Sequence, residues 1–590
     1  MIKITFEKTF WGASIYAATS VVLLKVSAEN DNHHILADHA VSMGKAFTDL
    51  LPLSEQRKGE TTLQYVSRFL AEWSFAVLNK HGYIHSVGST TKSNKIFIWL
   101  GFHNPKVSVN CILLGKELLL GIASGQISSE EAVKRAKSFI EKTRAFSPDY
   151  QAKILMQAAF LRNIPYMNFS LPDRHWQYGW GSKSKIYFDS ISEKDSAIGR
   201  WIVGDKHVNK AFMRKLGVPI VNHLLISNLT DLQKVISTVG FPCVIKPLDL
   251  GQAKGVTVNI LNEDELKLAF SKARKISKSP IMVESYIEGD VHRLLVIGGK
   301  LIAASRRSPA SVFGDGVSSV IKLAEEFNKK RMANAQNGDG IGPAPYDSEF
   351  DLVISKQGFS RSSIPKKGHK VKLRSIPLQG SGADNSDVTD IVHHDTKFMV
   401  ESLAKSVGLN IVGYDFITED VSVSCHKKGA FIEMNSCPSL RGHIQNGIDV
   451  RDVANHALGY EIGRIPSVMI IADDLSYHQY KPELALLPSL GWRFSDGVGI
   501  GGCLFKKIEL SHPIEASVSL ISNKSVEKIL LVCSLDEIIK FGIPLDMVDH
   551  LIITKKIDSD WRDVLYKHSK TQTEMYDKIN MADVIKKHLL

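Results

Sequence analysis

Short apolar runs of strand length alternate with amphipathic helical segments along most of this 590-residue chain. Residues 242–246 and 281–284 are compact apolar runs of the kind that form buried strands, whereas residues 63–79 carry their apolar side chains at helical spacing. A single hydrophobic core rarely extends beyond about 300 residues, so a chain of this length needs more than one core. The sequence therefore predicts an α/β (α+β) protein with about two to four domains.

The middle of the chain carries clear local signals. A helix is predicted over residues 205–216, which Gly217 ends, and a hairpin is predicted over residues 294–304 around a Gly-Gly pair. The stretch 336–361 is rich in Gly, Pro, Asn and Ser and predicts a flexible or lid-like loop. Elsewhere we predict a helix over residues 128–142, core strands within residues 10–26, and strands over residues 468–471, 529–532 and 551–554.

The charge balance is basic, with a formal net charge of +11 and a pI of about 9.0. Apolar residues make up 44% of the chain and charged residues 23%, which are ordinary proportions for a globular protein. The cationic residues are not gathered in a tail, and no nucleic-acid recognition motif accompanies them, so we predict no nucleic-acid partner. The positive surplus suits anionic small molecules such as ATP and acidic peptides.

The sequence offers no sign of secretion or membrane insertion. No uncharged run is long enough to cross a bilayer, and the apolar stretch near the N-terminus contains Lys25 and lacks a small-residue cleavage site. The six cysteines are scattered without a C-x-x-C pair, which argues against a zinc site or a disulfide framework. We therefore predict a cytoplasmic protein with reduced cysteines and no membrane association.

Two predicted strands end in segments that could bind a nucleotide. Lys246 ends the first strand, and a loop that contains Lys254 and Gly255 follows it. Glycine lets the backbone approach a polyanion and lysine neutralises phosphate, although an ordinary hairpin turn would look the same. The second strand ends at Glu284, and Tyr286 follows closely. This segment could meet an adenine edge or a ribose, or it could be a solvated strand end.

Three side chains with oxygen ligands close two later apolar runs. Glu433 and Asn435 lie two residues apart, so on a strand they share one face. Asp415 on a neighbouring strand would complete a set of hard ligands of the kind that Mg²⁺ prefers. A solvated strand face is the alternative. Several arginines could bind a carboxylate or an acyl phosphate, or form structural salt bridges: Arg293, Arg306, Arg307, Arg374 and Arg441.

The order of motifs over residues 150–460 resembles the ATP-grasp half of cyanophycin synthetases. The motifs that carry the resemblance are Asp205-Lys206 at a helix start, Lys246 with its loop, Glu284-Ser-Tyr-Ile-Glu-Gly289, His292-Arg293, Ala303-Ala-Ser-Arg-Arg307, Asp387-Val-Thr-Asp390 before His393, Gly413-Tyr-Asp415, Glu433-Met-Asn435 and Pro438-Ser-Leu-Arg441-Gly-His443. The resemblance implies an N-terminal α/β peptide-binding domain over residues 1–160 and an ATP-grasp domain over residues 161–462.

The resemblance also implies roles for individual residues, with ATP and Mg²⁺ as cofactors. Those expected to bind the nucleotide are Lys206, Lys246, Lys254, Gly255, Glu284 and Tyr286. The expected magnesium ligands are Asp415, Glu433 and Asn435. Arg293, Arg306 and Arg441 are expected to steady the acyl phosphate as catalytic residues, and the residues expected at the substrate are Arg307, Arg374, Ser381, Gly382 and His443.

The C-terminal residues 463–590 resemble a truncated Mur-ligase-like α/β domain. The strand before a phosphate loop is matched by residues 463–471, but acidic residues including Asp473 then replace the glycines, the lysine and the threonine of such a loop. Two acids there would repel phosphate. We therefore predict a vestigial domain without a P-loop; the Walker pattern G-x-x-x-x-G-K-[ST] occurs nowhere in the chain.

The sequence thus predicts an ATP-dependent carboxylate–amine ligase that acts through an acyl phosphate. With one ATP-grasp site, the resemblance implies polymerisation of β-aspartyl-arginine dipeptides into a cyanophycin-like polymer. A ligase that makes one small peptide or amino-acid conjugate is the alternative, and a non-catalytic polymer-binding module is another. The partners expected are an amino acid, a dipeptide or a peptide polymer, and the family resemblance implies a homo-oligomer, a dimer or a tetramer.

Overall fold

The structure is a computed structural model that describes residues 2–28, 34–47, 55–80, 84–170, 175–251, 254–334, 342–377, 379–473, 475–506, 513–575 and 580–589. Its strands are β1 (Ile2–Phe10), β2 (Val21–Ala28), β3 (Val87–Lys92), β4 (Lys95–Gly101), β5 (Tyr166–Ser170), β6 (His175–Tyr178), β7 (Lys185–Phe188), β8 (Ile191–Ser192), β9 (His223–Ile226), β10 (Cys243–Pro247), β11 (Thr257–Ile260), β12 (Ile281–Ser285), β13 (Asp290–Ile297), β14 (Lys300–Ser308), β15 (Ser311–Phe313), β16 (Lys370–Lys372), β17 (Asp384–Asp387), β18 (Ile411–Thr418), β19 (Ala430–Asn435), β20 (Ser467–Ile471), β21 (Leu490–Phe494), β22 (Gly497–Ile500), β23 (Cys503–Lys506), β24 (Lys528–Cys533), β25 (Val548–Ile553) and β26 (Ser569–Glu574).

The α-helices alternate with these strands, which confirms the predicted α/β class. They are α1 (His34–Ala46), α2 (Thr62–Asn79), α3 (Pro105–Ala123), α4 (Ser129–Thr143), α5 (Tyr150–Leu161), α6 (Ala197–Gly204), α7 (Lys206–Lys215), α8 (Leu232–Thr238), α9 (Glu263–Ile276), α10 (Val320–Asn334), α11 (Ser348–Lys356), α12 (His394–Val407), α13 (Arg441–Gln445), α14 (Val450–Leu458), α15 (Lys481–Ala485), α16 (Pro513–Ile521), α17 (Leu535–Phe541), α18 (Ser559–Lys567) and α19 (Met581–His588).

The chain divides into two compact units. The first unit joins Met1–Asp189 with Tyr460–Leu590, and the second unit is Ser190–Gly459. The first unit is therefore built from both ends of the chain, with the second unit as a continuous segment between them. The division into three domains that the sequence suggests stays a prediction.

The first unit contains an N-terminal sheet and a C-terminal sheet. The N-terminal sheet has the antiparallel order β1-β2-β4-β3, and helices α1 to α4 pack on it around the buried side chains of Leu24, Phe69 and Trp73. The C-terminal sheet has the order β23-β22-β21-β24-β20-β25-β26, with parallel pairing from β21 to β26. Phe10 and Leu23 share a core cluster with this second sheet.

The second unit places two antiparallel sheets around the candidate site. One has the order β11-β10-β12-β9 and packs its apolar face on α8 and α9. The other has the order β17-β14-β13-β18-β19 and packs on residues from α6, α7 and α12. A small pair, β15 and β16, shares a further cluster with α10 and α11. The strand ends of the two larger sheets carry the residues that the sequence singled out.

Many predicted elements occur within a few residues of their predicted bounds. The helix predicted over residues 63–79 is α2, and the helix predicted over residues 205–216 is α7. The predicted hairpin is β13 with β14, which pair in antiparallel register. The three predicted C-terminal strands are β20, β24 and β25. Within residues 10–26 the structure has the end of β1 and most of β2, with no strand over the intervening residues 11–20.

The loop predicted over residues 336–361 is wrong in its second half. Residues 336–341 lie outside the described residues, but α11 occupies Ser348–Lys356. The helix forms because the Asp347 side chain accepts hydrogen bonds from two backbone N–H groups at its start and because Phe350 and Ile354 are buried. The Gly and Pro content of the stretch hid this short amphipathic segment. Among the described helices, none is both long enough and apolar enough to span a membrane.

Candidate active site

Two acidic side chains face each other on the last two strands of the five-stranded sheet. Asp415 on β18 pairs directly with Glu433 on the antiparallel strand β19. Residues in direct register have their Cβ atoms about 5 Å apart on the same face of the sheet. Asn435, two residues beyond Glu433, completes the group, and its Nδ2 donates to Asp415 Oδ2 over 3.4 Å. The three oxygen ligands predicted from the sequence therefore lie together.

The electrostatics of this group favour a cation. Burial raises the pKa of Glu433, and the neighbouring charge of Asp415 raises it further. Arg293 compensates in part, because its NH1 donates to Asp415 Oδ1 over 2.9 Å. Two carboxylates and an amide oxygen are the donors that hard divalent cations prefer, so the donor set fits Mg²⁺.

The backbone at Gly413 makes room for this arginine. Gly413 lies on β18, two residues before Asp415. It pairs with Leu295 on β13, the strand that also carries Arg293. A Cβ atom at Gly413 would approach the Arg293 guanidinium to 2.7 Å, which is closer than real Cβ contacts. Glycine at this position therefore lets the guanidinium pack against the strand and reach Asp415.

Two lysines on α7 contact the other sheet of the second unit, which contains β10 and β12. Asp205 caps the helix by accepting from the backbone N–H groups of His207 and Val208 over 2.8 Å and 3.0 Å. Lys206 and Lys210 then lie one turn apart, so they share a face. Lys206 Nζ donates to the carbonyl oxygens of Pro247 and Leu248 at 3.3 Å and 2.9 Å, in the loop after β10. Lys206 thus connects α7 to the loop after β10, which the sequence predicts to bind phosphate.

Glu284 on β12 binds two buried lysines. Its Oε2 is 2.8 Å from Lys246 Nζ, and its Oε1 is 2.9 Å from Lys210 Nζ. Burial would raise the pKa of Glu284, but the two lysines reverse this effect and hold it below its ordinary value. Burial also lowers the pKa of Lys210 to about 8, with Glu284 opposing the shift. Glu284 therefore holds both lysines in place. Its predicted contact with a ribose or an adenine stays a prediction.

These groups open onto one cavity of about 390 Å³. Its volume is within the range of about 300–1,000 Å³ that small-molecule sites occupy. One part of the wall is charged and polar and is lined by Lys206, Lys246, Glu284, Asp290, Arg307, Lys372, Asp415 and Glu433. Another part is apolar and is lined by Val244, Val256, Val258, Ile287, Ile417 and Ile432. A ligand with a flat apolar ring and a polyanionic tail would match both parts.

Several predicted residues lie on this cavity and others do not. Of the site residues that the sequence predicts, the wall includes Lys206, Lys246, Glu284, Tyr286, Arg307, Asp415 and Glu433. Arg293 and Asn435 contact Asp415 directly. Among the described residues, the lining does not include Lys254, Gly255, Arg306, Arg374, Ser381, Gly382, Arg441 or His443. Tyr286 lines the cavity, and its backbone N–H donates to the Pro242 carbonyl over 3.0 Å.

Arg374 is held by two carboxylates rather than directed at a ligand. Its guanidinium forms ion pairs with Asp347 at 2.5 Å and with Glu349 at the start of α11. Arg306 is half exposed, and its Nε is 3.9 Å from Asp290. Arg374 therefore anchors a helix, which is a structural explanation for its burial. The sequence could not distinguish this role from substrate binding because both need a bidentate cation.

A second polar group lies next to the cavity around His443. Burial lowers the pKa of His443 to about 3, and the nearby Arg307 and Arg293 lower it as well, so the imidazole is neutral. Asn385 lies opposite Arg307 on the paired strand and donates to the Gly442 carbonyl over 3.1 Å. Within the described part of the chain, Arg307 Nε, His443 Nε2 and Asn385 Oδ1 have no hydrogen-bond partner.

Lys210 belongs to this group of charged residues but is not among the residues predicted from the sequence. Its spacing of four residues from Lys206 on a predicted helix was the available signal, because such a pair shares a face. What the spacing does not give is burial, which brings Lys210 to Glu284 and to the Ile432 carbonyl at 2.9 Å. Lys372 on the cavity wall carried no distinguishing sequence pattern.

Known proteins match most of this chain. Cyanophycin synthetase from Nostoc sp. is 30% identical over 409 residues, which is 66% of this chain and 44% of that protein. A glutathione biosynthesis bifunctional protein from Clostridium perfringens is 27% identical over 257 residues, covering 43% of this chain and 33% of that protein. The chain therefore spans less than half the length of these curated relatives. The family model described as D-ala D-ala ligase C-terminus matches residues 212–315.

Solved structures align over parts of the chain. A bifunctional glutathione synthetase from Pasteurella multocida covers 74% of this chain and 82% of its own, with a TM-score of 0.40 and 17% identity. A D-alanine–D-alanine ligase from Bacillus anthracis, complexed with ATP, covers 45% of this chain and 68% of its own, with a TM-score of 0.26 and 14% identity.

Proposed function

We propose that this chain, which is a cyanophycin synthetase-like ATP-grasp protein, is an ATP-dependent carboxylate–amine ligase. The observation that carries the proposal is the meeting of Asp415, Glu433 and Asn435 with Lys206 and Lys246 at one cavity. Phosphoryl transfer requires cations around the phosphates and oxygen ligands for a metal ion. This cavity has both, and apolar side chains such as Val244, Val256 and Ile432 also line it.

The proposed reaction has two steps. The carboxylate of the first substrate attacks the terminal phosphorus of ATP, which forms an acyl phosphate and ADP. An amine then attacks the acyl carbon, an amide bond forms, and phosphate leaves. The protein's part is positioning and charge neutralisation, because neither step needs a covalent enzyme nucleophile. Lys206 and Lys246 would neutralise the ATP phosphates, and Arg293 and Arg307 would hold the substrate carboxylate.

Magnesium would be held by the three oxygen ligands. Asp415 and Glu433 supply carboxylate oxygens, and Asn435 keeps its amide oxygen while its Nδ2 donates to Asp415. When bound, the ion would neutralise charge on the phosphates. Arg293 binds Asp415 Oδ1 and thereby fixes the orientation of that carboxylate.

For the product, we propose a polymer of β-aspartyl-arginine dipeptides joined at the single ATP-grasp site. Support comes from the similarity to a cyanophycin synthetase over 66% of this chain and from the cationic groups near His443 that suit a carboxylate substrate. A ligase with one small product is the second candidate. The similarity to a glutathione biosynthesis bifunctional protein over 43% of the chain favours it.

Glu433→Gln tests the ligase proposal. The substitution removes one anionic ligand and keeps the size of the side chain, so ADP release that depends on amino-acid or dipeptide substrate should fall by at least about 100-fold. Glu419→Gln is the matched control, because Glu419 follows β18 on the same sheet, is paired with Lys428 and is not among the cavity-lining residues. Undiminished ADP release in Glu433→Gln would contradict the proposal.

The product is tested by mass spectrometry of reactions with ATP and β-aspartyl-arginine. A ladder of masses separated by one dipeptide supports the polymer. A single new mass supports the small-product ligase. ADP release with other amino acids or dipeptides, and none with β-aspartyl-arginine, would reject the polymer while leaving the ligase proposal intact.

A further inference from the structure

The first unit contains a cavity of about 590 Å³ that shares no lining residue with the proposed ligase site. The loop between β1 and β2, the end of β4, strands β5 and β6, and residues from α16 and the turn before β25 all contribute to it. Its volume exceeds that of the cavity assigned to the ligase reaction. The proposed function leaves this space without a role.

The walls of the cavity are largely aromatic. Trp11 and Phe102 pack edge to face with ring centroids 5.3 Å apart. His85 stacks on Phe160 at 4.5 Å with only 8° between the ring planes. These rings are preordered by one another, and flat faces of this kind pack well against a further planar ring.

Two hydrogen-bond donors lie side by side in the wall. Asn168 on β5 and Trp176 on β6 are directly opposite in the antiparallel register, so their side chains share a face. Trp176 is only 1% exposed. Across the described ranges, neither Asn168 Nδ2 nor Trp176 Nε1 has an acceptor. A buried donor without a partner is destabilising, so a ligand oxygen that accepted from these donors would remove that cost.

The charges around the cavity compensate one another. Arg464 binds Asp546 and also donates to Asn163. His85 lies 2.5 Å from the Tyr166 hydroxyl, and burial lowers its pKa, which favours the neutral ring. The donors of Asn168 and Trp176 are neutral N–H groups, and the Arg464 guanidinium is already paired with the Asp546 carboxylate. Such a wall selects a carbonyl oxygen over a carboxylate, because a buried anion needs an unpaired cation.

We propose that this cavity binds an uncharged ligand that combines a planar aromatic ring with an amide carbonyl oxygen. The ring lies against the aromatic wall, and the carbonyl oxygen accepts from Trp176 Nε1 and Asn168 Nδ2. An N-acylated or peptide-linked aromatic amino acid has this chemistry. The site is independent of the proposed ligase reaction, because its lining residues are separate from those of the ligase cavity.

Calorimetric titration of the full-length chain with N-acetyl-phenylalaninamide tests the proposal. We expect saturable binding, and we expect Trp176→Phe and Asn168→Ala each to raise the Kd about 10-fold, since each loses one hydrogen bond to the ligand. N-acetyl-alaninamide, which lacks the ring, should bind at least about 10-fold more weakly than the aromatic amide.

Trp73→Phe is the matched control. Trp73 is also fully buried, and its Nε1 also lacks an acceptor among the described residues, but it lies in the N-terminal core and not on the cavity wall. The Kd of the Trp73→Phe variant for N-acetyl-phenylalaninamide should equal that of the unmodified chain. Thermal unfolding checks each variant, and Asn168→Ala decides the outcome if Trp176→Phe does not fold. No saturable binding, an unchanged Kd in the decisive variant, or equal affinity for N-acetyl-alaninamide and the aromatic amide would overturn the proposal.

Discussion

At the scale of single residues, the buried set of Lys210, Lys246 and Glu284 shows how this site holds its cations. The side chains of Lys210 and Glu284 are only 1% and 4% exposed. Two lysines can share this space because one carboxylate contacts both, and Lys210 also donates to the Ile432 carbonyl. Both lysines are therefore held in place by groups of the protein itself.

Glu284→Gln should destabilise the protein strongly. The change leaves two buried lysines without their shared carboxylate, and removing one partner of a buried ion pair costs about 3–5 kcal/mol. Urea denaturation measures the loss in the free energy of unfolding. Glu263→Gln is the control, because Glu263 pairs with Lys267 on the surface at 2.8 Å with both side chains more than 40% exposed, and exposed pairs contribute about 1 kcal/mol or less. Equal effects of the two substitutions would contradict the buried-pair argument.

At the scale of elements, α7 connects the two sheets of the second unit. Its Asp205 cap fixes where the helix begins, and the first helical residue is Lys206. Lys206 then contacts the loop after β10, while Lys210 reaches Glu284 on β12. A change in the start of the helix would therefore move both lysines together.

Asp205→Ala should reduce both stability and nucleotide affinity. Loss of an N-cap typically costs about 1 kcal/mol, and fraying of the first turn releases Lys206, so the KM for ATP should rise several-fold. Steady-state kinetics and thermal unfolding provide the two measurements. Ser128→Ala removes the cap of α4, which accepts from Glu131 N over 3.2 Å, and it should lower stability without changing the KM. A raised KM in Ser128→Ala, or an unchanged one in Asp205→Ala, would show that the cap does not position the lysine.

At the scale of the whole molecule, the two ends of the chain share one compact unit. Phe10, Val21 and Leu23 from the first strands lie in a cluster with Ile529 and Leu551 of the C-terminal sheet. The backbones of the two regions are also hydrogen-bonded, since Trp11 N donates to the Phe541 carbonyl over 2.9 Å. The C-terminal region therefore completes a core that the N-terminal region needs.

Truncation tests this shared core. A chain of residues 1–459 would expose the apolar cluster, so we expect it to aggregate or to bind a hydrophobic dye and to lose cooperative unfolding. Residues 190–459 form a separate compact unit, and we expect this fragment to unfold cooperatively in urea. Circular dichroism during denaturation compares the two fragments. A soluble, cooperative 1–459 fragment would contradict the shared-core argument.

The α/β class, many element positions and the grouping of Asp415, Glu433 and Asn435 could be predicted from the sequence. These features depend on local periodicity: residues two apart on a strand share a face, and apolar residues at helical spacing define a helix. Glu433 and Asn435 were therefore predictable as a pair, and the order of the motifs placed Asp415 and Lys246 near them. The segment of α11 was not predictable, because Gly and Pro around it masked a short helix that needs Phe350 and Ile354 buried to form.

The partners of the charged residues could not be predicted from the sequence and follow from the folded structure. Arg374 could have faced a substrate, but packing brings it to Asp347 and Glu349, and Glu284 turned out to hold Lys210 and Lys246. The tertiary structure also joined the two ends of the chain in one unit. The physical reason is that burial and ion pairing depend on contacts between residues far apart in sequence, whereas strand and helix periodicity is set by neighbours along the chain.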